Sequence, residues 1–158
     1  MFETVMRAPA VHLVRFVRPG DLGFVREVAG AVFAEYDGDT SGTRTVAMVS
    51  APGARTLIAE LDGAPAAFAV VQLDREPAHL IAIAVAPRVS GIGVGPRLLR
   101  AVERYAASRG ARSMRLETGE ANLVAIEMFV RAGYIRDGRI PRYYRTGYDA
   151  LTYRKTLS

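Results

Sequence analysis

Leu80–Leu99, LIAIAVAPRVSGIGVGPRLL, combines an apolar β-type run, a short turn, three glycines at alternate positions and the start of an amphipathic helix. Without Cβ atoms at Gly91, Gly93 and Gly95, the backbone between Ser90 and Val94 can fold tightly and aim its N–H groups at one anion. The helix that follows points its positive end at the same place. A phosphate-bearing ligand is the first expectation.

The pattern continues outward on both sides. Upstream, Val11–Val17 reads as a strand. Pro19-Gly20-Asp21 breaks it, with Asp21 as N-cap of a helix through Tyr36. A polar turn, Asp37–Thr43, leads to a short helix over Thr45–Ala51, ended by Pro52-Gly53. Arg55–Leu61 and Ala66–Leu73 form a hairpin about Asp62-Gly63, and His79–Val85 completes a three-strand meander. Downstream, a helix over Pro96–Ser108 is closed by Gly110. Arg112–Thr118 is the fifth strand, Asn122–Ala132 a helix stopped by Gly133, and Tyr134–Arg139 and Tyr148–Leu157 are final strands around the loop Ile140–Gly147.

At 158 residues the chain suits one domain, residues 1–158, with a full hydrophobic core. It has no cysteine, which excludes disulfides, thiolate metal sites and an acyl-cysteine intermediate. His12 and His79 lie far apart, so no metal site is expected. The net charge of +5 is carried almost wholly by arginine, Lys155 being the only lysine. The arginines are scattered singly among acids, which disfavours nucleic acid as a partner. Leu80–Ala86 is interrupted by Pro87 and Arg88, so no segment is read as membrane-spanning. MFETVMRAPAVHLVRF lacks a continuous signal-type apolar region, and a cytoplasmic location is expected. A homodimer is compatible with the sequence but not specified by it.

Three glycine-loop chemistries compete. A nucleotide P-loop opens its helix with Gly-Lys-Ser/Thr, whereas this helix opens with Pro96-Arg97. A dinucleotide fingerprint counted from Gly93 puts Leu98 where its third glycine belongs, although Glu117 imitates the ribose-binding acid of that motif. No further βαβ units follow to complete such a domain. The third chemistry rests on two blocks together. Val85-x-Pro87, Gly91-x-Gly93-x-Gly95 and Leu98-Leu99 form one; Leu116-Glu117, Asn122-x-x-Ala125-Ile126-x-x-Phe129 and Gly133-Tyr134 form the other. Both blocks, at this separation, resemble the Gcn5-related N-acetyltransferase (GNAT) superfamily. The tail, Arg142-Tyr143-Tyr144 and Asp149-Ala150-Leu151, is similar to the bacterial ribosomal-protein alanine N-acetyltransferases within it.

The resemblance implies an α+β fold: a mixed, twisted sheet of about seven strands flanked by helices and splayed between the fourth and fifth strands. It implies acetyl-CoA as acetyl donor, with no metal, and an amine acceptor that is a peptide N-terminus or a small molecule. Main-chain N–H groups of Ser90, Gly91, Ile92, Gly93, Val94 and Gly95 are the implied pyrophosphate cradle. Two departures stand out: the loop-opening Arg or Gln of the family is Ser90, and Pro96 lacks an N–H. Arg88 or Arg97 could restore the missing charge. Ile83 and Val85 are the implied main-chain partners of the pantetheine arm, near the reaction centre and its oxyanion. Asn122 matches the cofactor-contacting asparagine and equally suits a helix N-cap.

Transfer needs a neutral amine, and Glu117, five positions before Asn122, is the implied base, acting directly or through water. A solvated strand-end carboxylate is its plain alternative, with Glu120 in reserve and His79 read as packing. The family's thiolate-protonating tyrosine is replaced by Phe129, which is placed against the cofactor without a proton to give. A thiol leaving group with a pKa of about 8.5 needs little help, so water or Tyr134, Tyr143 or Tyr144 could serve. Tyr143 and Tyr144 could also line the acceptor groove, between the Tyr36–Arg44 and Ile140–Gly147 regions. The rival expectation is a non-catalytic acyl-CoA-binding sensor.

Overall fold

A computed structural model describes residues 11–158, with side chains from Leu13 onward. The signal-free reading of the first ten positions, and the side chain of His12, fall outside the described residues. Seven strands form one sheet: β1 (Val11–Phe16), β2 (Ala54–Leu61), β3 (Ala64–Gln72), β4 (Ala78–Val85), β5 (Ser113–Gly119), β6 (Ile135–Ile140) and β7 (Ala150–Thr156). Their spatial order is β1-β2-β3-β4-β5-β7-β6, and only β4 and β5 run parallel. The five α-helices among the described residues are α1 (Leu22–Val32), α2 (Ala34–Asp37), α3 (Thr43–Val49), α4 (Val94–Ser108) and α5 (Leu123–Arg131). This is the α+β sheet implied by the sequence blocks. No helix among the described residues is long and apolar enough to cross a membrane.

The strand period of two decides the layers. Along β3, Ala67, Ala69 and Val71 join the core beneath Leu98, Leu99 and Val102 of α4 and Phe129 of α5. Phe68 and Val70, between them, join the opposite core with Val25, Val28 and Ala29 of α1. Burial on both faces explains why β3 is apolar throughout rather than alternating. Leu61 pairs with Ala64, so the β2–β3 hairpin turns on two residues; Asp62 (φ 51°) and Gly63 (φ 81°) both take the positive φ such a turn demands.

Local expectations shift where long-range contacts intervene. The helix expected from Asp21 through Tyr36 is two helices, α1 and α2. The chain turns at Phe33, whose ring meets Phe68 edge-on at 6.3 Å. Asp21 does not cap α1. Its carboxylate accepts the Arg18 N–H at 2.7 Å and the Arg15 guanidinium at 2.8 and 3.0 Å, fastening a 3-10 turn to β1 instead. α4 begins two residues before Pro96, because Gly93 (φ 93°) supplies the left-handed turn from which the helix starts.

β4 and β5 share only three rungs: Ala78 with Met114, His79 with Arg115 and Leu80 with Leu116. β4 stays paired with β3 as far as Val85, but there Val70 faces Ala82 and Val71 faces Leu80, leaving Ile81 as an extra residue. Such a bulge bends and twists its strand. Past Leu80 the two parallel strands separate, and the β5 side of β4, including Ile83 and Val85, has no strand neighbour.

Candidate active site

The glycine loop lies on the stretch that leaves β4 and enters α4. Gly91 (φ 81°) and Gly93 (φ 93°) are both left-handed, a backbone state that costs other residues about 1–2 kcal/mol. The amides of Gly91, Ile92, Gly93, Val94 and Gly95 donate to no acceptor among the described residues. Five amides at the positive end of a 15-residue helix make a concave donor set suited to a diphosphate. Gly95 has a second reason to be small: a Cβ there would lie 3.0 Å from Met128 Sδ and 3.4 Å from Val85 Cγ2.

Two members of the expected anion site are turned elsewhere. Ser90 donates its amide to Pro87 O at 3.3 Å and its hydroxyl to the same oxygen at 3.0 Å, which withdraws both donors from the cradle. Arg88 Nη2 donates to Pro65 O at 2.9 Å, which directs part of its guanidinium away from the loop. Asn122 acts as N-cap of α5, its Oδ1 accepting the Ala125 N–H at 3.3 Å.

Where β4 and β5 part, a cleft of about 410 Å³ opens, lined by five elements. β4 gives His79, Ile81 and Ala82, and β5 gives Glu117. Tyr36 and Asp37 close it from α2, Arg44 and Thr45 from α3, and Tyr143, Tyr144 and Arg145 from the β6–β7 loop. The aromatic wall is continuous: the Tyr144 ring lies 5.1 Å from Tyr36 and 5.0 Å from Tyr143. Thr146 holds that loop in place by donating its hydroxyl to the carbonyls of Glu35 at 2.6 Å and Tyr36 at 2.9 Å.

Glu117 sits one residue past the last β4–β5 rung. Its Oε2 meets His79 Nε2 at 2.6 Å, and its Oε1 accepts from Arg115 Nη1 at 2.6 Å. Burial pushes this carboxyl up, but the His79 hydrogen bond and the charges of His79 and Arg115 outweigh it and hold it below the ordinary carboxylate value. Burial raises Tyr143 and Tyr144, with neighbouring negative charge adding to the shift. Both phenols therefore stay protonated through the neutral range and can donate.

Several expected residues stand outside the cleft. Glu120 is held by Arg139 at 2.6 Å and accepts the Asp149 amide, a latch between β5 and the last hairpin. Phe129 is withdrawn into the core, 3% exposed, with its ring 5.7 Å from Tyr134, and it packs the α5 face. Tyr134 is equally buried, beside Lys155 and Glu103, and is not among the cleft-lining residues. His79, read from sequence as packing, is instead the partner of Glu117. Arg115 was not singled out by its sequence setting, since nothing local marks the strand register, and Tyr36 was named only as the edge of the Tyr36–Arg44 region.

The sequence profile of the acetyltransferase (GNAT) family matches residues 24–134. An uncharacterised N-acetyltransferase of Methanocaldococcus jannaschii is 30% identical over 95 residues, 60% of this chain and 61% of that protein. The matched region thus spans under two thirds of that relative. Among solved structures, yncA of Salmonella typhimurium with its cofactor acetyl-CoA superposes with a TM-score of 0.78 at 19% identity, covering 96% of this chain and 95% of the other. Ard1 of Thermoplasma volcanium reaches 0.82 at 22% identity, covering 94% and 99%. A ribosomal-protein-alanine N-acetyltransferase of Brucella melitensis reaches 0.77 at 18% identity, covering 92% and 99%.

Proposed function

Because the chain belongs to the acetyltransferase (GNAT) family and is therefore an acyltransferase, we propose that it moves the acetyl group of acetyl-CoA onto a primary amine by direct attack in a ternary complex. The observation that carries this reading is the pairing of an open amide cradle, Gly91 to Gly95, with a strand splay that begins just beyond Leu80. The cradle suits the diphosphate, and the unpaired side of β4 suits an extended pantetheine arm added like a strand. That route delivers the thioester to the end of the cleft where Glu117 sits.

The amine lone pair attacks the thioester carbon, forming the C–N bond and placing negative charge on the carbonyl oxygen. Main-chain N–H groups near Ile83 and Val85 are the proposed oxyanion donors. The amine surrenders its proton at the Glu117 end of the cleft, the C–S bond breaks, and the CoA sulfur leaves with its electron pair. Tyr143 or Tyr144 is placed in the role of donor to that sulfur, since Phe129 carries no proton and is buried.

For the acceptor, a protein or peptide N-terminus is the reading motivated by the tail Arg142-Tyr143-Tyr144 and Asp149-Ala150-Leu151, with a small-molecule amine as the alternative. The open cleft flanked by α2, α3 and the β6–β7 loop admits either. The protein is read as a single domain acting in the cytoplasm.

Thermal unfolding in the presence of acetyl-CoA, longer acyl-CoAs and NAD tests the cofactor, because a ligand bound only by the native state raises the midpoint. Protection by acetyl-CoA is expected; protection by NAD alone would overturn the reading. Mass spectrometry of N-terminal peptides and small amines after incubation with enzyme and acetyl-CoA identifies the acceptor. Transfer to polyamines or drugs but to no peptide would remove the N-terminus assignment and leave the enzyme reading in place.

A further inference from the structure

The reaction proposed above needs an acceptor for the amine proton, and both oxygens of Glu117 already receive hydrogen bonds. Arg115 Nη1 holds Oε1 and His79 Nε2 holds Oε2, each at 2.6 Å. We infer that the acceptor is His79, through Nδ1, and that Glu117 is the positioning residue that fixes the imidazole's tautomer and orientation. This inference rests on the acetyl-transfer reading of the same cleft.

The two groups differ in what they can accept. A carboxylate that receives two hydrogen bonds, one of them from a guanidinium, binds a further proton weakly. Glu117 follows that rule despite its burial. An imidazole has two nitrogens with separable jobs. When a carboxylate occupies one, the N–H is drawn there and the lone pair is left on the other. Here Nε2 faces Glu117, and Nδ1 has no partner among the described residues. A buried carboxylate that orients a histidine and stabilises its protonated form is a recurring solution to this problem.

Position supports the same assignment. His79 lies on the next-to-last β4–β5 rung, so its backbone is held on both sides, by Gln72 of β3 and Arg115 of β5. Its side chain, 19% exposed, lines the cleft just before the strands part. The ionisable groups around it are Glu117 and Arg115 from β5, Tyr36 and Asp37 from α2, Arg44 from α3, and Tyr143, Tyr144 and Arg145 from the β6–β7 loop. As the C–N bond forms, the proton leaves nitrogen for Nδ1. As the C–S bond breaks, Tyr143 or Tyr144 gives its proton to the CoA sulfur, the proton held by His79 makes good that loss, and both side chains return to their starting forms.

The test is His79→Gln, whose amide N–H can still donate to Glu117 but which has no second basic nitrogen. Steady-state rates are measured across pH with saturating acetyl-CoA and an amine found to be acetylated. The expected result is a kcat about a hundredfold lower with acetyl-CoA affinity unchanged, loss of the rising limb of the pH–rate profile, and partial recovery of His79→Gly by added imidazole. A variant within about threefold of the parent that keeps the limb would overturn the inference. A second readout needs no turnover: ¹⁵N NMR of labelled histidine, assigned through the variant, should show His79 neutral and protonated on Nε2 at the pH of maximal rate. An imidazole protonated on Nδ1 at that pH sinks the inference while leaving acetyl transfer intact. Acetyl-CoA binding with no amine acetylated at any pH removes the transfer reading and this inference with it.

Discussion

The ring of Tyr36 lies directly against the backbone of Gly119: a Cβ built on that glycine would stand 2.1 Å from Tyr36 Cε1. The end of β5 and the aromatic wall of the cleft are thus one packed unit, because the same ring supports Tyr144 at 5.1 Å and Tyr148 at 5.2 Å. Gly119→Ala must displace this ring. Overpacking of this kind costs about 1–3 kcal/mol, and urea unfolding should register a loss in that range. In steady-state kinetics the variant should raise the acceptor KM several-fold while acetyl-CoA affinity is retained. An unchanged acceptor KM would detach Tyr36 from acceptor binding.

Gly93 and Gly95 are small for different reasons, and the difference is measurable. A Cβ on Gly93 would meet nothing within 4 Å, but its φ of 93° is one that alanine resists. The strain of about 1–2 kcal/mol reshapes the amide cradle, so Gly93→Ala should weaken CoA binding by about tenfold in calorimetry. At Gly95 the backbone is helical and the nearest obstacle is the flexible end of Met128. Gly95→Ala should therefore move the unfolding midpoint more than the loop geometry. Equal losses of CoA affinity would show that left-handed backbone is not what makes the cradle.

The local chemistry of the chain made much of this visible. Asp62-Gly63 announces a two-residue hairpin because both positions tolerate positive φ, and the glycines of the loop before α4 announce themselves in the same way. The cover of helices on both faces was implied by the resemblance, and the apolar run of β3 and the packing of Leu98, Leu99 and Val102 agree with it. What stayed hidden depends on register. His79 and Glu117 are 38 positions apart and meet only because β4 and β5 pair in parallel for three rungs. Asp21 looked like a cap because its immediate neighbours permit one; Arg15, on a strand six residues earlier, took its carboxylate instead. Glu120 carried the same charge as Glu117 and lost its candidacy to Arg139, across the final hairpin.

Restoring a tyrosine at position 129 should not help catalysis. Phe129 is 3% exposed and packed edge-on to Tyr134, so a hydroxyl there enters the core between α5 and the sheet without a prepared partner. Such a buried, unsatisfied group costs about 1–3 kcal/mol. Phe129→Tyr is expected to lower the unfolding midpoint and leave kcat no higher than in the parent. Tyr143→Phe, at the cleft, should instead lower kcat with little change in stability. A Phe129→Tyr protein that is faster than the parent would mean that α5 turns this side chain toward the sulfur during turnover.

Far from the cleft, the Arg15–Asp21 pair should govern the acid limb of stability. The Asp21 carboxyl, 7% exposed, is held below its ordinary value of 3.8, first by the Arg15 hydrogen bond and further by the Arg18 amide, against the opposing effect of burial. A depressed carboxyl stabilises the fold fully above its unfolded value, and that contribution fades as pH falls through the lower folded value. Asp21→Asn should therefore cost about 1–3 kcal/mol near neutrality, since Arg15 keeps Glu60 as its remaining partner. The gap between variant and parent should narrow below about pH 4 as the parent's own carboxyl takes up its proton. Urea unfolding at about pH 7 and about pH 3 checks both halves of the claim. A gap that stays constant with pH would mean that the pair contributes through shape and packing, with its charge immaterial.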